Sequence, residues 1–435
     1  MLSIRGAEER RDAHRAVAAT YPSWRDFVDA ALFAPSWGYY ATGAIRFGEG
    51  GHYDTYPIAL SPVFGEIVAA RAFRQWERCG RPARFDVCEL GAGNGQLCLD
   101  VVVTVARRAG ESTAWRAFDR GFRYRVVERS PALAERQRAK LGSLAARVDW
   151  RVADPSAGDA RLPRPRDAGL VVANEVLDCL AHHRIVRPAG APPAVTFVVP
   201  RLGGRPLPAR GLDDVMADPR RRGRVRFHEV DLPLDVVPGL AAFCDAFVPE
   251  LRAGRGARPP YFAAPEIPRL VANVGRLYRR SEMLWIDYGD TRAFHLRAPE
   301  RRKVFAGPPR SRHGVYDRPG EDDVTFMVDF TVATDAAKEA GLRVVDHGPQ
   351  GRLLRGTRLR LPAAATADRI LAYRAVEWML GLVSPAPERA WRQGSLTWSG
   401  GRARGGRLRA SVARDLATFV GRRRSTFQVL VLRRG

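Results

Sequence analysis

The chain has 435 residues, of which 46% are apolar, enough for a packed core, and this composition excludes wholesale disorder. No segment approaches the roughly 18 consecutive apolar residues that a membrane-spanning helix needs. The N-terminal stretch MLSIRGAEERRDAHR has no apolar region and contains acidic residues. It predicts neither a secretion signal nor a transit peptide, and we expect a cytoplasmic protein.

The formal net charge is +24, which is typical of proteins that bind nucleic acid. Here, however, 68 of the 71 basic residues are arginines, and they are spread along the whole chain. This distribution favours a generally basic surface over a dedicated nucleic-acid site, although the arginine run at 220–226 keeps such a site as an alternative. The five cysteines show no CxxC spacing, so we predict neither a disulfide framework nor a metal site.

In chain order, residues 1–80 predict a helical N-terminal region that is interrupted by a loop rich in glycine and aromatic residues. Residues 81–186 alternate strands with helices. The strands are FDVCEL, FRYRVVE, VDWRV and GLVVANEV, and the helices run from about Asn94 to Arg108 and from Ser130 to about Leu141. Buried strands that alternate with helices predict an α/β fold with a mostly parallel, doubly wound sheet.

Residues 187–262 break this alternation. They are dense in proline, glycine and arginine, and we interpret them as an inserted subdomain of short strands and loops. Residues 263–435 resume the core with a helix near 266–280 and the strand MLWIDYG, followed by a loop of about thirty residues. A helix over VDFTVATDAAKEAGL, the strand LRVVDHG, a helical stretch near 378–383 and the closing strand TFQVLVL complete the expected order.

The sharpest motif is the glycine-rich turn that follows the first strand, Glu89-Leu90-Gly91-Ala92-Gly93-Asn94-Gly95-Gln96-Leu97. It departs from the dinucleotide fingerprint GxGxxG, because the third glycine comes one position early. The acid that ends the second strand, Glu128, lies 33 residues after Gly95, where a dinucleotide site expects about 20. Both departures disfavour NAD and FAD.

The same features suit S-adenosylmethionine, which has no pyrophosphate but needs a close backbone approach, a carboxylate for its ribose diol and acids near its cationic end. Glu128 is the candidate for the ribose and Glu89 for the methionine end. A surface ion pair to an arginine is the alternative role for Glu128. The residues that we predict to bind the cofactor are Glu89, Gly91, Ala92, Gly93, Gly95, Leu97, Glu128, Arg129 and Asn174.

Acidic residues also follow the fourth strand, in the segment Asn174-Glu175-Val176-Leu177-Asp178. Glu175 and Asp178 are three residues apart, so one helical turn would put both on one face, where they could hold a cationic acceptor such as a guanidinium. An acid that merely stabilises a helix N-terminus is the alternative role for Asp178. Asp287 and Asp323, at two further strand ends, are additional candidates, and we predict Glu175, Asp178 and Asp287 as catalytic residues.

The ordered set SWGYY, TYPIALSPVFGE, CELGAGNGQL, YRVVERSPAL, VVANEVLD, WIDYG, PGEDDVTFMVDF and TFQVLVL resembles the MidA-like S-adenosylmethionine-dependent methyltransferases, which include a mitochondrial complex I assembly factor. The resemblance covers the chain from about Trp37 to the C-terminus, except for 187–262. It implies a class I methyltransferase core of seven strands and S-adenosylmethionine as cofactor. The mitochondrial member methylates a protein arginine, so the resemblance also implies a protein substrate.

The motifs on the acceptor side depart from the family pattern. Between Pro57 and Ser61 this chain has Ile-Ala-Leu without the usual acid, and Val176-Leu177 replaces aromatic residues after the Asn-Glu pair. Met327 replaces the family's histidine before Val-Asp-Phe. Three functions therefore stay open: a methyltransferase acting on a protein arginine, a cofactor-binding assembly factor with little catalysis, and an RNA methyltransferase.

Overall fold

The computed structural model of the protein describes residues 2–43, 45, 62–253, 256–307, 313–354 and 427–435. Its centre is a mostly parallel sheet. With the strands numbered in chain order, the continuous sheet has the spatial order β3 (Val148–Val152), β2 (Phe122–Glu128), β1 (Phe85–Leu90), β4 (Arg166–Asn174), β10 (Tyr278–Asp290), β15 (Phe427–Arg434) and β14 (Arg343–Pro349). Only β15 runs antiparallel to its neighbours in this set.

The strand order confirms the predicted α/β fold with a doubly wound sheet, because the chain order reverses between β1 and β4. A strand of two residues, β13 (Val328–Asp329), also pairs with the end of β10. It brings the described sheet to eight strands, one more than the seven expected. Such a reversal point is where open α/β sheets bind their ligands, beyond the carboxyl ends of the strands.

Helices cover both faces of this sheet. In chain order the α-helices are α1 (Leu2–Thr20), α2 (Trp24–Phe33), α3 (Val63–Arg78), α4 (Gln96–Arg108), α5 (Thr113–Gly121), α6 (Pro131–Leu141), α7 (Leu212–Ala217), α8 (Pro219–Arg222), α9 (Leu240–Phe247), α10 (Glu266–Gly275), α11 (Arg292–His295) and α12 (Phe330–Glu339). One apolar core joins α3, α4 and α5 to one face of the sheet, and a second joins α9, α10 and α12 to the other.

Strand β1 shows why the sheet needs both cores. All six of its residues are buried, with Phe85 and Val87 in one core and Cys88 and Leu90 in the other. Because successive side chains of a strand point to opposite faces, an unbroken run of buried residues is expected only where both faces are covered.

A second sheet is formed by residues 183–263. Its strands are β5 (His183–Arg187), β6 (Ala194–Leu202), β7 (Arg205–Pro206), β8 (Val225–Pro233) and β9 (Arg258–Ala263). Helix α2 packs against β5 and β6, and the rings of Trp24 and Phe262 lie 5.4 Å apart. A separate hairpin pairs β11 (Val304–Ala306) with β12 (Val324–Phe326). The insertion predicted at 187–262 thus contains most of a sheet of its own. The three predicted boundaries between the four domains stay predictions.

Several local predictions differ from the structure. Helix α5 was not predicted, and the helix expected at 266–280 ends at Gly275 because β10 already begins at Tyr278. The loop expected after β10 contains α11 and β11. The helical stretch near 378–383 and the segment at 57–61 lie outside the described residues. Within the described ranges, no helix is long and apolar enough to cross a membrane.

Candidate functional site

A cleft opens at the carboxyl ends of β1, β2 and β4, at the reversal point of the sheet. Its empty space, counted out to the open mouth, is about 1210 Å³. All nine residues predicted to bind the cofactor line this cleft except Gly95, which lies directly behind its wall, at the start of α4. Two of the three predicted catalytic residues, Glu175 and Asp178, line it as well.

The glycine-rich turn adopts backbone angles that require glycine. Gly91, Gly93 and Gly95 have φ values of 60°, 54° and 77°, in the left-handed region that side chains with a Cβ rarely adopt. The N–H of Gly95 donates to the carbonyl of Ala92 at 2.7 Å and closes the turn before α4. A Cβ on Gly95 would also lie 3.3 Å from Gln137. The turn therefore presents backbone to the cleft without side chains in the way.

Glu128 is buried at the end of β2, and its carboxylate accepts hydrogen bonds from the protein on both oxygens. Oε1 accepts from the N–H of Ser130 and Oε2 from Nε2 of Gln137, both at 3.0 Å. Burial raises the pKa of Glu128, and these hydrogen bonds partly oppose that rise. The backbone N–H groups of Arg129 and Ala92 also stabilise its charge. The carboxylate lines the cleft and is the predicted partner of a ribose diol.

Gln137 was missed by the sequence analysis, although it connects the two halves of the expected cofactor site. Its Nε2 donates both to Glu128 and to the carbonyl of Gly93 at 3.0 Å. It lies on α6, and nothing in the sequence distinguishes it from other polar residues of that helix. Asp154, which follows β3 and lines the cleft beside Pro155 and Ser156, was missed too.

Glu89 is fully buried at the end of β1. Its Oε2 accepts a hydrogen bond of 2.7 Å from the hydroxyl of Tyr124. Burial raises its pKa to about 8, and the nearby Glu128 and Asp100 add to that rise. A buried carboxyl that holds its proton so tightly favours a cationic neighbour when it ionises.

Two more predicted cofactor residues have partners inside the protein. The guanidinium of Arg129 pairs with both carboxylate oxygens of Asp29 at 2.9 and 3.0 Å, and it lies over the ring of Phe33. Asn174 donates from Nδ2 to Glu175 at 3.1 Å, while its buried Oδ1 has no hydrogen-bond partner within the described residues. This amide oxygen can therefore accept a hydrogen bond from a ligand group in the cleft.

Glu175 and Asp178 do not share a helical turn as predicted. Residues 175–182 form an irregular loop, and Glu175 has a φ of 53°. The prediction was wrong because the loop is held from outside, by a hydrogen bond from the N–H of Glu175 to the carbonyl of Ile286 at 2.8 Å. Both side chains nevertheless reach the same cleft.

Asp178 lies at the base of the cleft. Its Oδ2 accepts a short hydrogen bond of 2.6 Å from the hydroxyl of Tyr288, and burial raises its pKa to about 6. Its Oδ1 is buried and has no hydrogen-bond partner within the part of the chain that the structure describes.

Asp287, the third predicted catalytic residue, lies outside the cleft in which an acceptor would bind. It is 1% exposed and does not line the cleft. Its Oδ2 accepts from the backbone N–H groups of Leu177 and Asp178 at 3.0 and 3.1 Å, and its Oδ1 accepts from the N–H of Tyr288 at 2.8 Å. The geometry makes Asp287 a support for the loop that carries Asp178.

The cleft is lined by several carboxylates and by the glycine backbone of the turn that follows Glu89. These features, together with Glu128 and the buried Oδ1 of Asn174, fit S-adenosylmethionine. Glu89, Glu128 and Asn174 stay its predicted polar contacts. Across the described residues, no group of three or more metal-ligating side chains is close enough to hold an ion.

Comparison with known proteins agrees with this geometry. The family described as "Putative S-adenosyl-L-methionine-dependent methyltransferase" matches residues 67–348, which is more than half of the chain. The chain belongs to this family. The membership confirms the predicted class, a methyltransferase with S-adenosylmethionine as its cofactor.

Two solved structures from Burkholderia thailandensis are similar over 97% of this chain and 90% of theirs, with TM-scores of 0.62 and sequence identities of 22% and 20%. One of them was determined with bound S-adenosyl-homocysteine. At these identities the likeness shows the fold, and it confirms the class I methyltransferase core.

Two curated relatives share 30% identity with short parts of this chain. They are the mitochondrial protein arginine methyltransferase NDUFAF7 of Danio rerio, over 122 residues, and its Drosophila melanogaster homologue, over 112 residues. The matches cover 28% and 26% of this chain, and only about a quarter of the length of each relative.

Proposed function

We propose that this protein transfers the methyl group of S-adenosylmethionine to a cationic nitrogen, the guanidinium of a protein arginine. The observation that carries the proposal is the charge of the cleft. Among its described lining residues six are acidic, namely Glu89, Glu128, Asp154, Glu175, Asp178 and Asp323, and one is basic. That one, Arg129, is already paired with Asp29. An acidic cleft in a chain of net charge +24 favours a cationic acceptor.

For this reaction the protein mainly has to align the acceptor nitrogen with the methyl group and the sulfur, and to supply negative charge beside the guanidinium. S-adenosylmethionine, when bound, supplies an electrophilic methyl group on a sulfonium. As the N–C bond forms, the C–S bond breaks, its electron pair stays on sulfur, and the nitrogen loses one proton to a carboxylate and then to water. Glu175 and Asp178 can orient the guanidinium, and exclusion of water strengthens their attraction for it.

The two curated relatives support this acceptor, since both are named protein arginine methyltransferases. An RNA acceptor has less support, because the carboxylates of the cleft would repel its negatively charged phosphate backbone. In the arginine run at 220–226, Arg222 is moreover paired with Glu321. The third function, a cofactor-binding assembly factor with little catalysis, predicts almost no methyl transfer. That result would contradict the proposal.

Labelled transfer tests the proposal directly. The purified protein is incubated with S-adenosylmethionine carrying a tritiated methyl group and with total cell extract, which contains protein and RNA, from a strain that lacks the gene. Acid hydrolysis and chromatography then identify the labelled product. We expect methylarginine, and label only in RNA, in lysine or nowhere would contradict the proposal.

The first prediction separates acceptor from cofactor binding. Glu175→Gln and Asp178→Asn keep the side-chain size and remove the charge, so each should reduce methylarginine formation at least tenfold, while the affinity for S-adenosyl-homocysteine stays within about twofold. Asp167→Asn, at the opposite end of β4, is the matched control and should behave as the parent. If either cleft variant loses cofactor affinity in proportion to its activity, that residue belongs to the cofactor pocket.

A further inference from the structure

A third acidic side chain reaches the acceptor side of the cleft from a distant part of the chain. Asp323 comes just before β12 and lines the cleft together with Asp178 and Cys179. It is 3% exposed. The backbone connects its strand to the loop of Asp178, because the N–H of Phe326 donates to the carbonyl of Asp178 at 3.0 Å.

Tyr40 holds Asp323 in place. Its hydroxyl lies 3.0 Å from Oδ2 of Asp323, to which it donates, and 3.3 Å from the sulfur of Cys179. The other oxygen, Oδ1, accepts from the backbone N–H of Val324 at 2.9 Å. Three chain segments, around residues 40, 179 and 323, therefore meet at one phenol on the cleft wall.

Among the described residues, both hydrogen-bond donors to Asp323, the hydroxyl of Tyr40 and the N–H of Val324, are neutral. A buried carboxylate is normally paired with a cation, since transfer of a lone ion out of water is costly. Burial accordingly raises the pKa of Asp323 to about 7. Asp178 repeats the arrangement: it too is buried, it too accepts from one phenol, that of Tyr288, and its Oδ1 has no hydrogen-bond partner among the described residues.

We propose that Asp323, positioned by Tyr40, forms with Asp178 a two-carboxylate seat that binds the cationic acceptor nitrogen group. The proposal deepens the proposed function and rests on it. A guanidinium has five N–H donors in a planar fork and a positive charge, so it can bridge two carboxylates, whereas a neutral amide or hydroxyl leaves both of them without a counter-charge. Asp323 is then an acceptor-binding residue and Tyr40 a positioning residue.

The test uses the labelled transfer into the same extract, at a series of extract concentrations. Asp323→Asn should raise the half-saturating extract concentration or lower the maximal rate about 10- to 100-fold, as expected for the loss of a charge-assisted hydrogen bond. Tyr40→Phe should raise the half-saturating concentration about 2- to 10-fold, because Asp323 keeps its charge and one donor. Affinity for S-adenosyl-homocysteine, measured by calorimetry, should stay within about twofold in both variants.

Two matched controls accompany these variants. Asp322→Asn changes the neighbouring acid, which pairs with His313 outside the cleft. Tyr316→Phe removes a phenol-to-carboxylate hydrogen bond of 2.9 Å elsewhere, to Glu229. Both should methylate as the parent does.

The outcomes are distinguishable. If the parent forms methylarginine and both cleft variants match it, the two-carboxylate seat is overturned while the proposed function stands. If the parent forms no methylarginine, the proposed function falls and this inference falls with it. Loss of cofactor affinity in Asp323→Asn together with normal transfer by Tyr40→Phe would also overturn the seat.

Discussion

Glu89 has a pKa of about 8, and that value makes the stability of the protein depend on pH. The folded state binds the proton of this carboxyl more tightly than the unfolded chain, whose value is near 4.5. The stabilisation is therefore fully present below about pH 4.5, and it is lost as the pH rises through about 8. In the cofactor-free protein, an ionised Glu89 is a buried charge whose recorded donor is the neutral Tyr124.

We predict that Glu89→Gln melts at the same temperature as the parent near pH 5, and about 1–3 °C higher at pH 9. The glutamine stays neutral and can still accept from the hydroxyl of Tyr124. Melting curves without cofactor, at both pH values, measure the difference. Glu77→Gln, on the exposed side of α3, should show no such pH dependence, and an equal shift at both pH values would contradict the assignment.

Among the elements, the segment from β1 through the glycine turn to α4 was predicted most completely from the sequence. An apolar run, closely spaced glycines and an apolar helical pattern are all local signals. Helix α5 was missed because it offers just two buried residues, Trp115 and Phe118, and a Ser112 cap that is common in loops as well.

The loop at 175–178 could not be predicted for the opposite reason, since its conformation is set by a distant strand. Two of its backbone N–H groups donate to Asp287 of β10. The seat formed by Tyr40 and Asp323 is equally non-local, because 283 positions separate the two residues. Sequence spacing found five of the six acidic residues that line the cleft, but it missed Asp154 and the phenols of Tyr40 and Tyr288.

If Asp287 supports the loop at 175–178 and takes no part in catalysis, its two substitutions should have different effects. Asp287→Asn keeps an oxygen that can accept from Leu177 and Asp178, so it should retain most of the methyl transfer. Asp287→Ala leaves buried N–H groups without an acceptor and should cost about 1–3 kcal/mol of unfolding free energy, with a large loss of activity. Denaturant unfolding and labelled transfer on both variants measure this, with Asp290→Asn as control. Equal loss of activity in both, at unchanged stability, would make Asp287 a catalytic carboxylate.

At the scale of the whole molecule, positive charge is spread over the chain while carboxylates gather in the cleft. The net charge of +24 alone would favour an anionic partner, and only the folded arrangement shows an acidic interior site. The sheet produces this arrangement, because the carboxyl ends of the neighbouring strands β1, β2 and β4 bring Glu89, Glu128 and Glu175 to one edge. The positive net charge of the chain therefore favours an anionic partner, whereas the negative charge of the cleft favours a cationic one.

The central claim is that this edge of the sheet binds S-adenosylmethionine, and calorimetric titration tests it most directly. S-adenosylmethionine and S-adenosyl-homocysteine should bind the parent, and NAD should bind far more weakly. Glu128→Ala should weaken both cofactor forms about 10- to 100-fold, as expected for the loss of a charge-assisted contact, while Glu135→Ala, on the exposed face of α6, binds as the parent does. Tight binding of NAD without S-adenosylmethionine, or unchanged affinity in Glu128→Ala, would contradict the account.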